Sequence, residues 1–399
     1  MRVERIGGIG GVEEAAWRAL APRDFPFFDL EFLRALEGSG SIGRASGWEP
    51  VYLVCRDRED ASSVLGALCL YHKTNSYGEY VFDWEWARAY REHGLPYYPK
   101  LVAAVPFTPA TGPKLLVRPG ADREAVTRVL LDAAQSLGDE LRVSSSHALF
   151  LPEWELAEFA ERGFAVRHSL QFHWRTRGYD AFPDYLGALT SKRRRQIERE
   201  RRQLGEEGLA IERLTGEELD EEHAALMYRF YLGTLDRKWG VPYLTGAFFS
   251  EVFRTMSDRL LLVLASDERT RRPVAGALFF FKGGALYGRY WGSAEKRRNL
   301  HFELCYYQAI EFAIERRLEL FEAGAQGEHK HSRGFVPSLT YSAHEIRHPG
   351  FRRAIGHYIA EEREWLAEVM ADYARHDPYK GQPRTREDAR RLIEERPDV

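Results

Sequence analysis

A chain that repeats itself must build each copy into much the same unit, and this one repeats at a fixed spacing. VYLVCRDR (51–58) lies over LLVLASDE (261–268), VLGAL (64–68) over VAGAL (274–278), and YGEY (77–80) over YGRY (287–290). All three matches share one offset, 210 residues, without a gap. They set Gly66 over Gly276 and Tyr77-Gly78-x-Tyr80 over Tyr287-Gly288-x-Tyr290. One strand-like match would carry little weight; three in register point to a duplication.

Each copy reads as an antiparallel meander. In the second, RLLLVLAS is a strand, DERTRR a turn, PVAGALFFF a strand, KGG a turn and ALYGRYWGS a third strand. A helix is predicted before each meander, near Leu30–Leu36 and Ala247–Met256. Another follows each, near Arg123–Leu137 and from Phe302 to Arg317. In the latter, Phe302, Cys305, Tyr306, Ala309, Ile310 and Ala313 share one face. Short strands close the copies, ELRVSSS and LELFEA. Helix, three-strand meander, helix, strand is the order of an acyl-CoA N-acyltransferase (GNAT-type) unit. The expected fold class is therefore α/β (α+β): two tandem GNAT-type units with mixed, mostly antiparallel sheets and a C-terminal helix. We expect units at 1–177 and 178–377, with a boundary near Gly178, and a loosely held charged tail at 378–399.

The first copy carries an insertion, Glu85 to Gly120, which the second lacks. Its YYPKLVAAVPFTPATGPK segment has Pro at 99, 106, 109 and 113, with Pro96 just before it and Pro119 following. Proline at that density favours a shaped loop over a sheet interior. Composition excludes some classes. With 399 residues, 44% hydrophobic and 29% charged, the chain can bury a core, and a net charge of −3 gives no global sign of a nucleic-acid binder. Cys55, Cys69 and Cys305 have neither disulfide nor metal spacing, which suits reduced thiols and a cytosolic setting. The opening MRVERIGGIGG has no apolar signal core, and no apolar run approaches a membrane span.

Four groups could carry chemistry. FEAGAQGEHKHSRGF (321–335) follows the last short strand. There, Glu328 and His329 suit a base that takes a proton from an attacking amine, and Gln326, Lys330 and Arg333 suit acceptor or oxyanion anchors. His329-x-His331 beside Glu328 could hold a metal instead, but no CxxC or HExxH accompanies it, and no metal is expected. The second group is SAEKRRNLHFE, where Lys296, Arg297 and Arg298 precede a helix start that Asn299 could cap. Donor phosphates could dock there. The R-x-x-G-x-G/A fingerprint of acetyltransferases lacks its glycines here. His301 and Glu303, in the first turn, are further catalytic candidates, and Tyr290 and Trp291 candidate substrate contacts. The third group is the basic helix SKRRRQIERERRQL (191–204), whose Lys192 and Arg195 could also hold donor phosphates. The fourth is GEYVFDWEWARAY, with Asp83 and Trp84, joined by Lys100 and His147 as a groove between the units. No GxSxG elbow, P-loop or GxGxxG after a strand is present.

YVFDWEWARAY, the proline-rich segment, the basic helix and LHFELCYYQAIEFAIERRLELFEAGAQGEHKHSRGFVP together resemble the FemAB-like family of N-acyltransferases, described as peptidoglycan biosynthesis/recognition proteins. The likeness runs from about Phe27 to Ala360. It implies a tandem GNAT fold and a bacterial cytosolic protein, akin to the Fem transferases that move amino acids from aminoacyl-tRNA to cell-wall precursors. The long coiled-coil insertion of true Fem transferases is missing. The expected activity is transfer of an acyl or aminoacyl group to an amine in a cleft between the units. Acyl-CoA (acetyl-CoA) or aminoacyl-tRNA would be the donor, and a small-molecule or peptide amine the acceptor. The alternative is a non-catalytic binding module for a cell-wall precursor, peptide or RNA.

Overall fold

The structure, a computed structural model, describes residues 1–60, 62–236, 242–325 and 327–381. The strands are β1 (Arg2–Ile6), β2 (Trp48–Pro50), β3 (Tyr52–Arg56), β4 (Val64–Leu68), β5 (Leu70–Lys73), β6 (Lys100–Ala103), β7 (Leu115–Val117), β8 (Ser145–Leu151) and β9 (Ala165–Arg175). In the second half come β10 (Leu209–Leu214), β11 (Leu260–Asp267), β12 (Pro273–Lys282), β13 (Ala285–Ser293), β14 (Leu320–Glu322) and β15 (Val336–Ile346). Helices precede and follow each meander, at Leu30–Gly38, Arg123–Glu140, Gly246–Met256 and from Leu300 to Glu315. A last helix spans Pro349–Arg375.

The second meander forms as its sequence reads. β11 is an unbroken apolar run because both of its faces are covered. Leu260, Leu262 and Leu264 enter one core cluster, while Leu261, Val263 and Ala265 enter another on the opposite face. The first cluster spans the two halves: Phe27 of the N-terminal half meets Phe280 and Tyr287 of the second, with ring centroids 5.3 and 5.2 Å apart. Each such ring, fully buried, contributes about 1.5–3 kcal/mol.

The first meander departs from its echo in one place. Tyr77–Tyr80 forms no strand; the segment from Thr74 to Asp83 is a loop. The third strand comes from inside the insertion instead, split into β6, which pairs with β5, and β7, which pairs with β4. The expected proline-rich loop is therefore shorter, running between β6 and β7, and a helix, Trp84–Glu92, opens the insertion. Strands β3 and β4 diverge from β2 and β5, so the first copy feeds two sheets. One is β1-β3-β4-β7; the other is a continuous eleven-stranded sheet through both halves.

That large sheet does not stop at Gly178. Its order is β10-β11-β12-β13-β14-β9-β15-β8-β6-β5-β2. β9, from the N-terminal half, lies between β14 and β15 of the C-terminal half, and β15 in turn pairs with β8. The halves thus exchange strands. The start of the expected loose tail is docked: Tyr379 is buried and donates from its hydroxyl to Gly334 O at 2.7 Å, and Lys380 N donates to Ala188 O. Residues 382–399 lie outside the described residues. No helix among the described residues is long and apolar enough to cross a membrane.

Candidate functional site

β13 and β14 run parallel only from Ala285–Leu320 to Tyr287–Glu322. Beyond that, β13 continues from Gly288 to Ser293 while the chain after Glu322 turns away, and the two strands open into a V. The register between β12 and β13 slips at the same point: Leu278 faces Tyr290 and Phe279 faces Gly288, so Arg289 is the extra residue of a bulge. Beyond that point β14 offers β13 no ladder partner, and Thr234 takes up part of the vacated edge, its hydroxyl donating to Trp291 O at 2.9 Å. A cavity of about 470 Å³ occupies the V. Arg289, Tyr290 and Trp291 line it from β13, His301, Cys305 and Tyr306 from the following helix, and His329 from the loop beyond β14.

The helix that walls the cavity is irregular. A π turn, Glu303–Tyr307, interrupts it between Leu300–Phe302 and Gln308–Glu315. Widened turns of this kind re-aim side chains and recur at functional sites. Here Tyr306 reaches His329: the Tyr306 hydroxyl and His329 Nε2 are hydrogen-bonded at 2.9 Å. His301 stands edge-on to Trp291, Tyr306 and His329, with centroids 5.1, 5.4 and 6.0 Å away. Burial, then the charges of Arg333 and Lys330, lowers the pKa of His329 and favours the neutral ring; burial raises that of Tyr306.

The structure thus brings His301, His329, Tyr290 and Trp291 together and separates them from other candidates. Glu328 and His329 are both exposed, but only His329 lines the cavity. Glu303 is buried and turned to the basic helix, where it accepts from Arg201 at 2.9 and 3.2 Å and from Gln308 at 2.7 Å. Arg333 is only 3% exposed: it donates to both Glu200 carboxylate oxygens at 2.9 Å and to His329 O at 2.9 Å, and lies 3.4 Å over the Phe302 ring. It therefore braces the loop rather than meeting a substrate. Lys330 is buried with Nζ donating to Gly324 O at 2.6 Å, and burial pushes its pKa down to about 8. His331 spends both nitrogens on Phe335 O and His376 O, so it does not converge with His329 on a metal. Gln326 lies outside the described residues.

Around the helix start, Arg297 is held by Glu207 and Glu295, whereas Lys296 and Arg298 are exposed. Asn299 takes a left-handed conformation (φ 65°), and its side chain donates to Gln203 instead of capping. The basic helix, Ser191–Gly205, buries Ile197, Glu200 and Leu204 and exposes Lys192, Arg195, Arg199 and Arg202 on its outer face.

The fourth group forms a sealed network away from the V. Lys100 Nζ donates to Glu79 at 2.8 Å and to Asp83; Tyr97 donates to Asp83 at 2.6 Å. His147 Nδ1 meets His344 Nδ1 at 2.7 Å, across the junction of the halves. Burial lowers the His147 pKa to about 3. Asp83, Lys100 and His147 are all buried, and none of them lines the V. Trp84 stands 43% exposed against Tyr77 above the network.

Sequence reasoning left Arg289 and Tyr306 out of the candidate site and gave Glu322, though within the polar stretch, no role. Arg289 lines the V and donates to Phe107 O of the proline-rich loop. Glu322, the last residue of β14, is 3% exposed; burial raises its pKa to about 7, against the opposing pull of Thr111 N–H, Lys114, Arg175 and Arg289. The cavity in the V is built from residues 277–329, hence within the C-terminal half and not between the two halves.

No curated protein matches the chain. Among solved structures, it resembles FemX with a TM-score of 0.53 at 12% identity, over 89% of this chain and 100% of that one. It also resembles the C-terminal domain of a putative lysylphosphatidylglycerol synthetase from Agrobacterium fabrum, with a TM-score of 0.50 at 10% identity, over 87% and 95%. These likenesses establish the fold. The profile of the FemAB-like family, described as peptidoglycan biosynthesis/recognition, matches residues 8–381, nearly the whole chain. The chain belongs to the FemAB-like family and is a transferase on a tandem GNAT fold.

Proposed function

We propose that the chain moves an acyl or aminoacyl group onto an amine within the V between β13 and β14, in cell-wall precursor metabolism and in the cytosol. The carrying observation is the splay itself. It sets the β13 edge that β14 leaves, a hydrogen-bonded pair (His329–Tyr306) and a cavity of about 470 Å³ at one point. In this reading the donor carbonyl lies against β13, and N–H groups on the V side of that strand stabilise the oxyanion. The amine nitrogen attacks the carbonyl carbon, and the bond to the leaving oxygen or sulfur breaks. His329, whose pKa lies below the usual imidazole value, accepts the amine proton, and the Tyr306 hydroxyl supplies a proton to the leaving group. We treat 1–177 and 178–377 as the two units of the duplication, with chemistry assigned to the second.

The donor favoured is an aminoacyl-tRNA. The turn before Leu300 has no glycine to let a pyrophosphate approach the backbone, while Lys192, Arg195, Arg199 and Arg202 offer a solvent-facing row of positive charge. Transfer to a soluble primary amine, assayed with radiolabelled acetyl-CoA and with a mixture of aminoacyl-tRNAs, tests this. Turnover is expected with the tRNA donor. His329→Ala should reduce kcat about 10²-fold or more with folding intact. Equal rates in His329→Ala and wild type would remove the histidine from the chemistry.

A further inference from the structure

The V is lined from both faces of the sheet. Tyr290 belongs to the core cluster that spans the halves, whereas Trp291, Cys305 and Tyr306 pack with the cluster on the opposite face, against the helix from Leu300 to Glu315. The cavity therefore reaches from one face toward the other. On the helix face, Lys296 and Arg298 are exposed at the helix start. The basic helix packs against the same element, through Arg201–Glu303 and Tyr307–Glu200. In the transfer reading, a phosphate-bearing carrier belongs on that face. The group being moved then points through the V toward Arg289.

Arg289 has the chemistry to meet it. It is the extra residue of the β12–β13 bulge, two positions past Tyr287, the last residue of β13 that β14 pairs. Its guanidinium donates to Phe107 O, which ties the side chain to the proline-rich loop of the other half. Its Nε is buried with no hydrogen-bond partner. A buried cationic donor without an acceptor is destabilising unless a ligand supplies one. Arg289 forms no ion pair among the described residues. Glu322, whose carboxyl feels its charge, is engaged by Thr111 N, and burial raises its pKa to about 7, which weakens it as a counter-ion.

The rest of the lining does not offset that charge. Among the described residues, Arg289 is the one permanently charged side chain lining the V, and no carboxylate lines it. Lys330 and Arg333 add to the positive potential at His329. Such a cavity repels a side chain ending in an ammonium and gives a neutral one no gain. It favours a carboxylate, which accepts from the unused Nε in a charge-assisted bond.

We infer that the V selects a transferred group whose side chain ends in a carboxylate, and that Arg289 is the residue that selects it. The inference rests on the transfer reading for the direction of the donor, and deepens it by naming the class of group moved. In ester form that group is aspartyl or glutamyl; in thioester form it is a dicarboxylic monoacyl group. The side-chain carboxylate takes no part in the bond exchange. The new N–C bond forms, and the C–O or C–S bond breaks, at the other carbonyl, with His329 and Tyr306 moving the protons.

Binding to the full chain, without an acceptor, tests this in two arms. In the first, stable amide-linked aminoacyl-adenosines are titrated by calorimetry in pairs, aspartyl against asparaginyl and glutamyl against glutaminyl. In the second, succinyl-CoA is titrated against butyryl-CoA. In one arm the acid should bind about tenfold or more tighter than its neutral counterpart, and that arm names the carrier. Arg289→Gln should bring the ratio close to one, and Arg289→Lys should keep part of it. If Arg289→Gln fails to fold for want of its tie to Phe107, the wild-type ratios and Arg289→Lys still decide. Equal affinity for acid and neutral partner in both arms, no binding in either, or a ratio unmoved by Arg289→Gln overturns the proposal. Transfer of alanyl or lysyl groups as fast as aspartyl or glutamyl would refute the selectivity and leave the transfer reading standing. Acid-selective, Arg289-dependent binding with no transfer onto any primary amine would keep the Arg289 site and end the transfer reading.

Discussion

Arg333 and Glu200 are a buried pair, and removing one partner strands the other. Arg333→Met should cost about 3–5 kcal/mol in urea unfolding, because the Glu200 carboxylate is left in the interior without its counter-charge, with only the neutral donors Tyr307 and Gln196. Removing both, as Glu200→Met with Arg333→Met, should recover most of that loss. Glu322 behaves differently. Its folded pKa, about 7, is raised above the ordinary carboxyl value, so its contribution to stability is complete below about pH 4.5 and is lost as pH rises through 7. Glu322→Gln should therefore match wild type near pH 4 and exceed it by up to ~3 kcal/mol at pH 8, read from denaturant midpoints. These residues also show what the sequence can and cannot tell. FEAGAQGEHKHSRGF advertised chemistry, and His329 does line the V; yet Glu328 beside it points to solvent. Which of two adjacent ionisable residues enters a cavity depends on a 3-10 turn whose phase no local pattern displays. The burial of Glu322 was not legible, because a carboxylate ending an apolar strand looks like a solvated terminus until a loop from the other half covers it.

The elements were more legible, for a physical reason. β11, β12 and β13 are long runs with both faces buried, and their turns carry polar or glycine-rich residues, so local signals agree with the fold. The echo over Tyr77–Tyr80 misled because the first copy spends that segment as a loop and draws its third strand from the insertion. Proline density hid β6 and β7, which are short and flank the prolines. The aligned glycines are both close-packed, but unequally. A methyl at Gly66 would meet Val126 Cγ1 at 2.5 Å and the Leu116 carbonyl oxygen at 2.7 Å, whereas at Gly276 it would meet only side chains, at 3.2 Å and beyond. Gly66→Ala should cost about 1–3 kcal/mol and Gly276→Ala clearly less, measured by thermal or chemical melts. At the helix level, the π turn of Glu303–Tyr307 is what turns Tyr306 toward His329 while Tyr307 reaches Glu200. A substitution that regularises this turn should reduce transfer more than it reduces stability.

For the whole molecule, charge and topology decide behaviour. The net charge of −3 conceals the exposed row on the basic helix. If that row meets a polyanionic donor, its apparent affinity should fall steeply between 50 and 200 mM salt, and Arg195→Gln with Arg199→Gln should flatten the slope by about one unit or more. Acetyl-CoA or small-amine kinetics should change far less. Topology reaches further. Because β9 lies inside the partner half's sheet and β15 returns the exchange, neither half owns a complete scaffold. A cut at Gly178 would yield two polypeptides, each missing its innermost ribbon and each carrying one that fits only its sibling. Made separately, they should be insoluble; made together, they should reassemble into an active heterodimer. After such an exchange neither copy can be shed, shuffled or replaced alone, so the duplication has become irreversible in the lineage that carries it.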